Sequence, residues 1–277
     1  MKLAIIGYGT IARIALDTLA REAPGAIETL AVVSRENGTE RARELVAAVD
    51  AGTEGSIASD THVVTDMNAA LALQPDLVVE AAGHAALQDH GVAALQAGVD
   101  LIITSVGALS DEGLRQQLDE AAAASGACYD IIPGAVGGLD ILAAVKLSGL
   151  TQVLYKSRKP PNAWRGTTAE KMTDLDAIAK ETIFFSGHAG DAARLFPQNA
   201  NVAATIALKG AGFAATQVEL IADPGVNRNV HELKVSGNSA DFAIRIEGRP
   251  APDNPKTSLT TAYSVAQIIL EHIRRQR

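Results

Sequence analysis

The chain has 277 residues, of which 47% are hydrophobic and 20% are charged, and its formal net charge is -8. This length is enough for one large domain or two ordinary ones, and the composition excludes a disordered chain. The acidic balance disfavours nucleic-acid binding. A single cysteine, Cys128, excludes an intrachain disulfide and leaves a Cys-based zinc site without ligands, so we expect no metal.

The first ten residues, MKLAIIGYGT, contain a short apolar run that glycines interrupt at once. The run is too short for a signal peptide or a membrane span, and no other stretch approaches about 18 uninterrupted apolar residues. We therefore expect a cytoplasmic protein without a membrane partner.

The segments KLAII, GYGTIA and RIALDTLAREA are typical of a strand, a glycine turn and a helix. Gly7, Gly9 and Ala12 fit the pattern G-x-G-x-x-G/A, which provides a tight turn, close approach of a pyrophosphate and close helix packing. The free N–H groups of the helix then face the phosphates. This pattern predicts a dinucleotide site rather than a plain tight turn, with these contacts: Gly7, Gly9, Thr10, Ile11 and Ala12.

Further strands are predicted in ETLAVVS, DLVVEAA, DLIITSV and ACYDIIPG, with helices between them. Strands that alternate with helices predict an α/β fold, a doubly wound parallel sheet of the Rossmann type over residues 1–132. Ligands of such sheets bind at the carboxyl ends of the strands. Four more residues therefore join the predicted cofactor site: Ser34, Arg35, Ala82 and Gly83.

The end of the second strand bears on the choice between NAD and NADP. An acid there holds the ribose hydroxyls of NAD, whereas an arginine can accept the 2′-phosphate of NADP. This chain has Ser34 and Arg35 instead of the acid. We expect NADP to be accepted alongside NAD, and a merely solvated Arg35 is the alternative.

After residue 132 the pattern changes to short alternating strands, TQVLYKS, ETIFFSG, TQVELIA, VHELKVSG and DFAIRIEG. They predict a mainly antiparallel sheet with one face covered by helices, hence a second, α+β catalytic domain over residues 133–252. A helix over 253–277 is expected to pack back on the first domain. Lys256, Thr257 and Ser258 at its start predict a carboxylate or phosphate site, with ordinary N-capping as the alternative.

His231 lies just inside one predicted strand. Counted by twos, it shares a face with Leu233 and Val235, which is the apolar face. The pattern alone leaves two interpretations open, a packed core histidine or a titratable group that faces a pocket.

Six segments in this order resemble the L-aspartate dehydrogenase family over nearly the full length: GYGTIA, IPGAVGGLDIL, KPP, LFPQNANVAATIAL, ADPGVNRNVHELKVSG and PDNPKTSLTTAYSV. The resemblance implies a Rossmann domain, a catalytic domain that also dimerises, and a homodimer. It implies NAD(P)-dependent oxidative deamination of L-aspartate to iminoaspartate, then oxaloacetate and ammonia, reversible as reductive amination. In some organisms this reaction feeds pyridine nucleotide biosynthesis.

By the same resemblance, His231 is the active-site histidine, and Ala135 and Asn201 contact the cofactor. The chain departs from the family at Ser34, where members often carry an acid. Two alternatives remain: a dehydrogenase or imine reductase for another amino acid, and a non-catalytic dinucleotide sensor. His231 and the Lys256–Ser258 cluster favour an enzyme with a small-molecule substrate, since a sensor needs neither.

Overall fold

The computed structural model describes residues 1–52 and 56–275, without the side chains of Gln198, Pro255 and Lys256. The chain divides into two compact units. The first comprises Met1–Ile132 with Thr261–Arg277, and the second comprises Pro133–Thr260.

The first unit is built on a sheet in which every pair of neighbouring strands is parallel. Its strands are β1 (Lys2–Ile6), β2 (Thr29–Val33), β3 (Asp60–Val64), β4 (Leu77–Glu80), β5 (Asp100–Ile103) and β6 (Tyr129–Ile131). Their order, β3-β2-β1-β4-β5-β6, confirms the predicted doubly wound fold. The sequence did not predict β3, because this edge strand begins with polar residues and lacks a clear apolar alternation.

Helices connect these strands and cover the sheet. The helices of the chain, in order, are α1 (Thr10–Glu22), α2 (Thr39–Ala51), α3 (Met67–Leu71), α4 (His84–Gln96), α5 (Glu112–Ser125), α6 (Leu139–Ser148), α7 (Ala189–Leu195), α8 (Asn201–Lys209) and α9 (Leu259–Arg275). Val265, Ile269 and Ile273 of α9 belong to the same buried cluster as Leu3 and Ile5 of β1. No helix in the described part of the chain is both long and apolar enough to cross a membrane.

The second unit contains a mixed sheet that is mainly antiparallel, as predicted. Its strands are β7 (Leu150–Lys159), β8 (Thr182–His188), β9 (Gln217–Ala222), β10 (Asn229–Gly237) and β11 (Asp241–Gly248), in the order β11-β10-β7-β9-β8. Only β7 and β9 pair in parallel among these neighbours. Side chains of α6, α7 and α8 share its buried cluster, so the helices cover one face.

The region before α9 differs from the prediction. A short hairpin, β12 (Pro250–Ala251) and β13 (Asn254–Ser258), precedes the helix, which begins only at Leu259. Pro255 disfavours helical backbone at Asn254 before it. Lys256, Thr257 and Ser258 therefore end a strand, and their prediction as the first turn of a helix was wrong.

The packing of α9 can be tested at Ile269, whose side chain is fully buried. We expect Ile269→Ala to lower the free energy of unfolding by about 2–5 kcal/mol, because it leaves a cavity in the core of the first unit. The matched control is Gln267→Ala, two residues earlier on the exposed face of α9. It should change stability by no more than about 0.5 kcal/mol. Urea unfolding followed by circular dichroism measures both, and equal losses would contradict the packing.

Candidate active site

The glycine turn after β1 is required by the fold at Gly7. Its φ is +106°, which L side chains rarely adopt. A Cβ at this position would lie 2.9 Å from both the Ala81 carbonyl oxygen and the Ala82 Cβ. The Gly7 amide also donates to the Val33 carbonyl at 2.9 Å, so the turn joins β1 to its neighbours on both sides.

Gly9 has a different reason to lack a side chain. Its φ of -82° is ordinary, and a Cβ there would meet no protein atom within 4 Å. Gly9 is also the N-cap of α1, and no side chain caps this helix. The open space over uncapped helical N–H groups fits a pyrophosphate. Ala12 is fully buried one turn later, so α1 packs closely against the sheet.

The end of β2 carries an unpaired buried hydroxyl. Ser34 is 5% exposed, and its Oγ has no hydrogen-bond partner in the described part of the chain. Arg35 follows it and is exposed. Nearby, the Arg41 guanidinium lies 5.6 Å from the centroid of the Tyr8 ring, within the glycine turn. The lone hydroxyl and the two cations fit the ribose and phosphate end of a dinucleotide.

A buried carboxylate stabilises the next part of this rim. Glu80, at the end of β4, is completely buried and accepts hydrogen bonds of 2.8–2.9 Å from the amides of Ala82, Gly83 and Ser105. It also accepts one from the Ser105 hydroxyl at 2.9 Å. Two loops that follow β4 and β5 are thereby tied to one side chain. Such charge-assisted bonds fix the loop in which Ala82 and Gly83 were predicted to contact the cofactor.

In the second unit, His231 lies on the buried face of β10 and is 6% exposed. Its Nδ1 is 2.7 Å from the hydroxyl of Tyr155 on the adjacent strand β7, and the two rings are within 9° of parallel. The direct cross-strand neighbour of His231 is Ser157. Tyr155 is fully buried, and burial raises its pKa, so the hydroxyl keeps its proton.

Lys159 ends the same face of β7. Its ammonium is 2.5 Å from the Asn199 Oδ1 and 4.8 Å from the centroid of the Trp164 ring. Burial, and then the charge of Lys159, lower the pKa of His231 to about 3. The imidazole is therefore neutral at physiological pH, and it lies close to a buried cation.

Lys159 also lines a cavity of about 440 Å3 within the second unit. Arg228 is a second cation in its lining, and no acidic residue appears among the described lining residues. The remaining polar lining comes from amides and one hydroxyl: Asn162, Thr167, Asn199, Asn227, Asn229 and Asn254. In a chain with 32 acidic residues and a net charge of -8, a cavity with two cations and no acid is suited to an anion.

The other predicted site residues lie in several environments. Ala135 is buried in the turn before α6, and Asn201 is exposed at the first residue of α8. Thr257 and Ser258 are not among the described residues of the cavity, and the side chain of Lys256 lies outside the described part. Within the described residues, no group of three or more His, Cys, Asp or Glu side chains is arranged to hold a metal ion.

Sequence analysis missed four residues of these sites: Glu80, Tyr155, Lys159 and Arg228. A signal existed for Glu80, an acid at the end of the apolar run DLVV. The alternation of TQVLYKSRK also puts Tyr155 and Lys159 on one face of a strand. Which strand lies beside that face depends on the sheet order, and no local pattern indicates it.

Comparison with known proteins agrees with this geometry. Residues 7–130 match the family model of the homoserine dehydrogenase NAD-binding domain, and residues 140–272 match that of the aspartate dehydrogenase C-terminal domain. With the doubly wound sheet and its glycine turn, these matches define an NAD(P)-dependent oxidoreductase.

The chain belongs to the L-aspartate dehydrogenase family. It is 42% identical over 269 residues to L-aspartate dehydrogenase from Ralstonia nicotianae, covering 97% of this chain and 96% of that one. The Polaromonas enzyme of the same name is 49% identical over 196 residues, covering 71% and 73%. The crystal structure of Thermotoga maritima aspartate dehydrogenase has a TM-score of 0.71 at 25% identity, covering 98% and 96%.

The two glycines of the first turn give a matched test of the cofactor site. We expect Gly7→Ala to lower the free energy of unfolding by about 1–3 kcal/mol, because it strains the backbone and clashes with the β4 loop. Gly9→Ala should change stability by less than about 1 kcal/mol. It should nevertheless weaken NADH binding about tenfold or more, because its methyl group enters the open space.

Thermal unfolding without cofactor and fluorescence titration with NADH measure the two effects separately. Unchanged NADH affinity in Gly9→Ala would show that this space does not hold the dinucleotide.

Proposed function

We propose that this chain oxidises L-aspartate with NAD+ or NADP+ to iminoaspartate, which water converts to oxaloacetate and ammonia. Two things support this: membership of the L-aspartate dehydrogenase family, and a neutral buried histidine on the same sheet face as Lys159, which lines an anion-suited cavity. The observation that carries the proposal is that His231 and Lys159 lie on the same face of neighbouring strands, two positions apart in register, because the reaction needs a proton acceptor next to a carboxylate anchor.

The first unit would hold the cofactor through the glycine turn and the ends of β2 and β4. We propose that Ala135 and Asn201 of the second unit also contact it. When bound, NAD(P)+ supplies the acceptor for the hydride that leaves Cα of the substrate. The chain itself supplies orientation and proton handling.

We propose His231 as the acid–base group. A hydride can leave Cα only when the substrate nitrogen has a free lone pair, so the ammonium group must first lose a proton. Tyr155 occupies the Nδ1 side of the imidazole at 2.7 Å, which leaves Nε2 as the atom that exchanges protons with the substrate. In the reactive tautomer, Nδ1–H donates to the Tyr155 hydroxyl oxygen, and the Nε2 lone pair accepts the proton.

Substrate binding would strengthen this base. In the free protein, burial and the charge of Lys159 lower the pKa of His231 to about 3, which favours a neutral ring but makes it a weak proton acceptor. A substrate carboxylate on Lys159 compensates that charge. The pKa of His231 then rises in the complex, where proton transfer occurs, while burial, the larger cause, still holds it below its ordinary value.

The oxidation removes one proton and one hydride from the substrate, and water then hydrolyses the product. One proton goes to His231 and one hydride leaves Cα, so the substrate becomes an iminium. Water adds to its carbon, ammonia leaves as ammonium, and oxaloacetate forms. The proton on His231 returns to solvent. In reverse, ammonia and oxaloacetate give L-aspartate, with His231 as the acid.

We propose that NADP is accepted alongside NAD. Support comes from Ser34 in place of an acid and from exposed Arg35 beside it, with Arg41 close to the glycine turn. A cation can pair with the 2′-phosphate, whereas no carboxylate at this strand end repels it.

We also propose a cytoplasmic homodimer whose product feeds pyridine nucleotide biosynthesis, on family resemblance. Multi-angle light scattering that gives the mass of one chain would contradict the dimer, and cell fractionation tests the location.

An activity matrix on the purified chain tests the proposed function. We expect L-aspartate oxidation, and ammonia-dependent oxaloacetate reduction, with both NAD(H) and NADP(H). Turnover of a different amino acid, with none of L-aspartate, would identify a different dehydrogenase. Binding of NADPH without turnover of any substrate would identify a dinucleotide sensor.

The base assignment is tested by His231→Ala. We expect turnover to fall about 10²–10⁴-fold, the range for loss of general acid–base help, with NADH affinity close to that of the unchanged chain. His188→Ala, an exposed histidine at the end of β8 in the same unit, serves as the control and should retain full turnover. Near-normal turnover in His231→Ala would show that another group accepts the proton.

A further inference from the structure

We propose that Arg228 binds the side-chain carboxylate of a four-carbon dicarboxylate, while Lys159 binds the carboxylate next to the reacting carbon. Arg228 thereby becomes the residue that selects dicarboxylates over neutral amino acids. This inference rests on the proposed function and specifies how its substrate is recognised.

The charges in the cavity point to a ligand with two negative groups. Lys159 and Arg228 line the same cavity, and no carboxylate is among its described lining residues. Lys159 is 8% exposed and donates to the neutral amide oxygen of Asn199. No hydrogen bond or ion pair to the Arg228 guanidinium is found among the described residues. A partly buried guanidinium without a counter-charge favours a bound anion.

The loop that carries Arg228 is fixed at its start. The Asp223 amide donates to the Lys159 carbonyl at 2.9 Å, and the Asp223 carboxylate accepts from Arg158 at 2.8 Å. The same carboxylate accepts from the Gly225 amide at 2.7 Å and closes the turn. At its other end the loop enters β10 at Asn229, also in the cavity lining. Arg228 is thus presented between two anchored strands, in a loop that begins beside Lys159.

The position of His231 assigns the two carboxylates. His231 is the cross-strand partner of Ser157, and Lys159 lies two residues further along β7 on the same face, so His231 and Lys159 are diagonal neighbours. His231 acts on the nitrogen at Cα, and the α-carboxylate is bonded to the same carbon. Lys159 therefore binds the α-carboxylate, and Arg228 binds the carboxylate at the far end of the substrate. A guanidinium can hold that group through two parallel hydrogen bonds.

The test compares Arg228→Gln with Arg228→Lys in the full-length enzyme. We expect Arg228→Gln to raise the KM for L-aspartate about 10–100-fold with a much smaller change in kcat, as loss of a charge-assisted contact made equally in the ground state implies. The ratio of kcat/KM for L-aspartate to that for L-asparagine should fall by a similar factor. Arg228→Lys should recover part of the loss, because it keeps the charge without the two parallel bonds.

Succinate provides a readout that does not depend on turnover. It carries both carboxylates and no amine, so it should raise the melting temperature of the unchanged chain and of the control Arg194→Gln, an exposed arginine of α7. Arg228→Gln should lose this stabilisation at the same succinate concentration, while butyrate stabilises none of the three.

The outcomes separate the two proposals. If the unchanged chain binds succinate through Arg228 but does not oxidise L-aspartate, the proposed reaction fails and the dicarboxylate site stands. If it oxidises L-aspartate, and Arg228→Gln retains the KM and the succinate effect, the inference about Arg228 is overturned.

Discussion

The burial of a histidine beside a lysine is the constraint on which the second unit depends. His231 faces the helices rather than solvent, so water cannot stabilise its charged form. The fold keeps the ring neutral and satisfies Nδ1 with the Tyr155 hydroxyl. Lys159, at the end of the same face, donates a hydrogen bond to Asn199 and lies over the Trp164 ring. The buried face of this sheet therefore carries polar side chains, including those of Tyr155, His231 and Lys159, among its apolar ones.

The two faces of β7 stabilise their cationic side chains in different ways. The side chains of Lys156 and Arg158 alternate with the buried ones and form ion pairs with Glu219, Asp223 and Glu232. Lys159 on the buried face donates to the Asn199 amide oxygen and lines the cavity. The cavity has two cations and no acid among its described lining residues, and this indicates which side of the sheet is adapted to bind an anionic ligand.

The first unit depends on backbone geometry and on one buried carboxylate. Gly7 at positive φ lets β1 turn beneath the β4 loop, and the buried Glu80 holds that loop through its amides. The open space at Gly9 then remains as the point of closest approach for a ligand. The strand order brings these loops to one edge of the sheet. They lie between β1 and β4, where the order in which strands are added changes direction.

Much of this fold could be predicted from the sequence, because its strands and helices have clear periodicity. The strand DFAIRIEG and the glycine turn are examples, since their local patterns determine their structure. Edge strand β3 was not predicted because it begins with polar residues. The β12–β13 hairpin was not predicted because its prolines directly precede a segment with a clear helical pattern. The hydrogen bond between Tyr155 and His231 was not predicted for another reason. It joins residues 76 apart in the chain, through a strand pairing that no local signal specifies.

The state of His231 is the central claim, and 15N NMR of histidine-labelled protein tests it most directly. The His231 signal is assigned by its loss in His231→Gln. We expect a neutral imidazole with one dominant tautomer from about pH 5 to 8. Tyr155→Phe should change the tautomer balance without making His231 titrate in this range. A His231 signal that titrates near pH 6.5 in the unchanged chain would contradict the account.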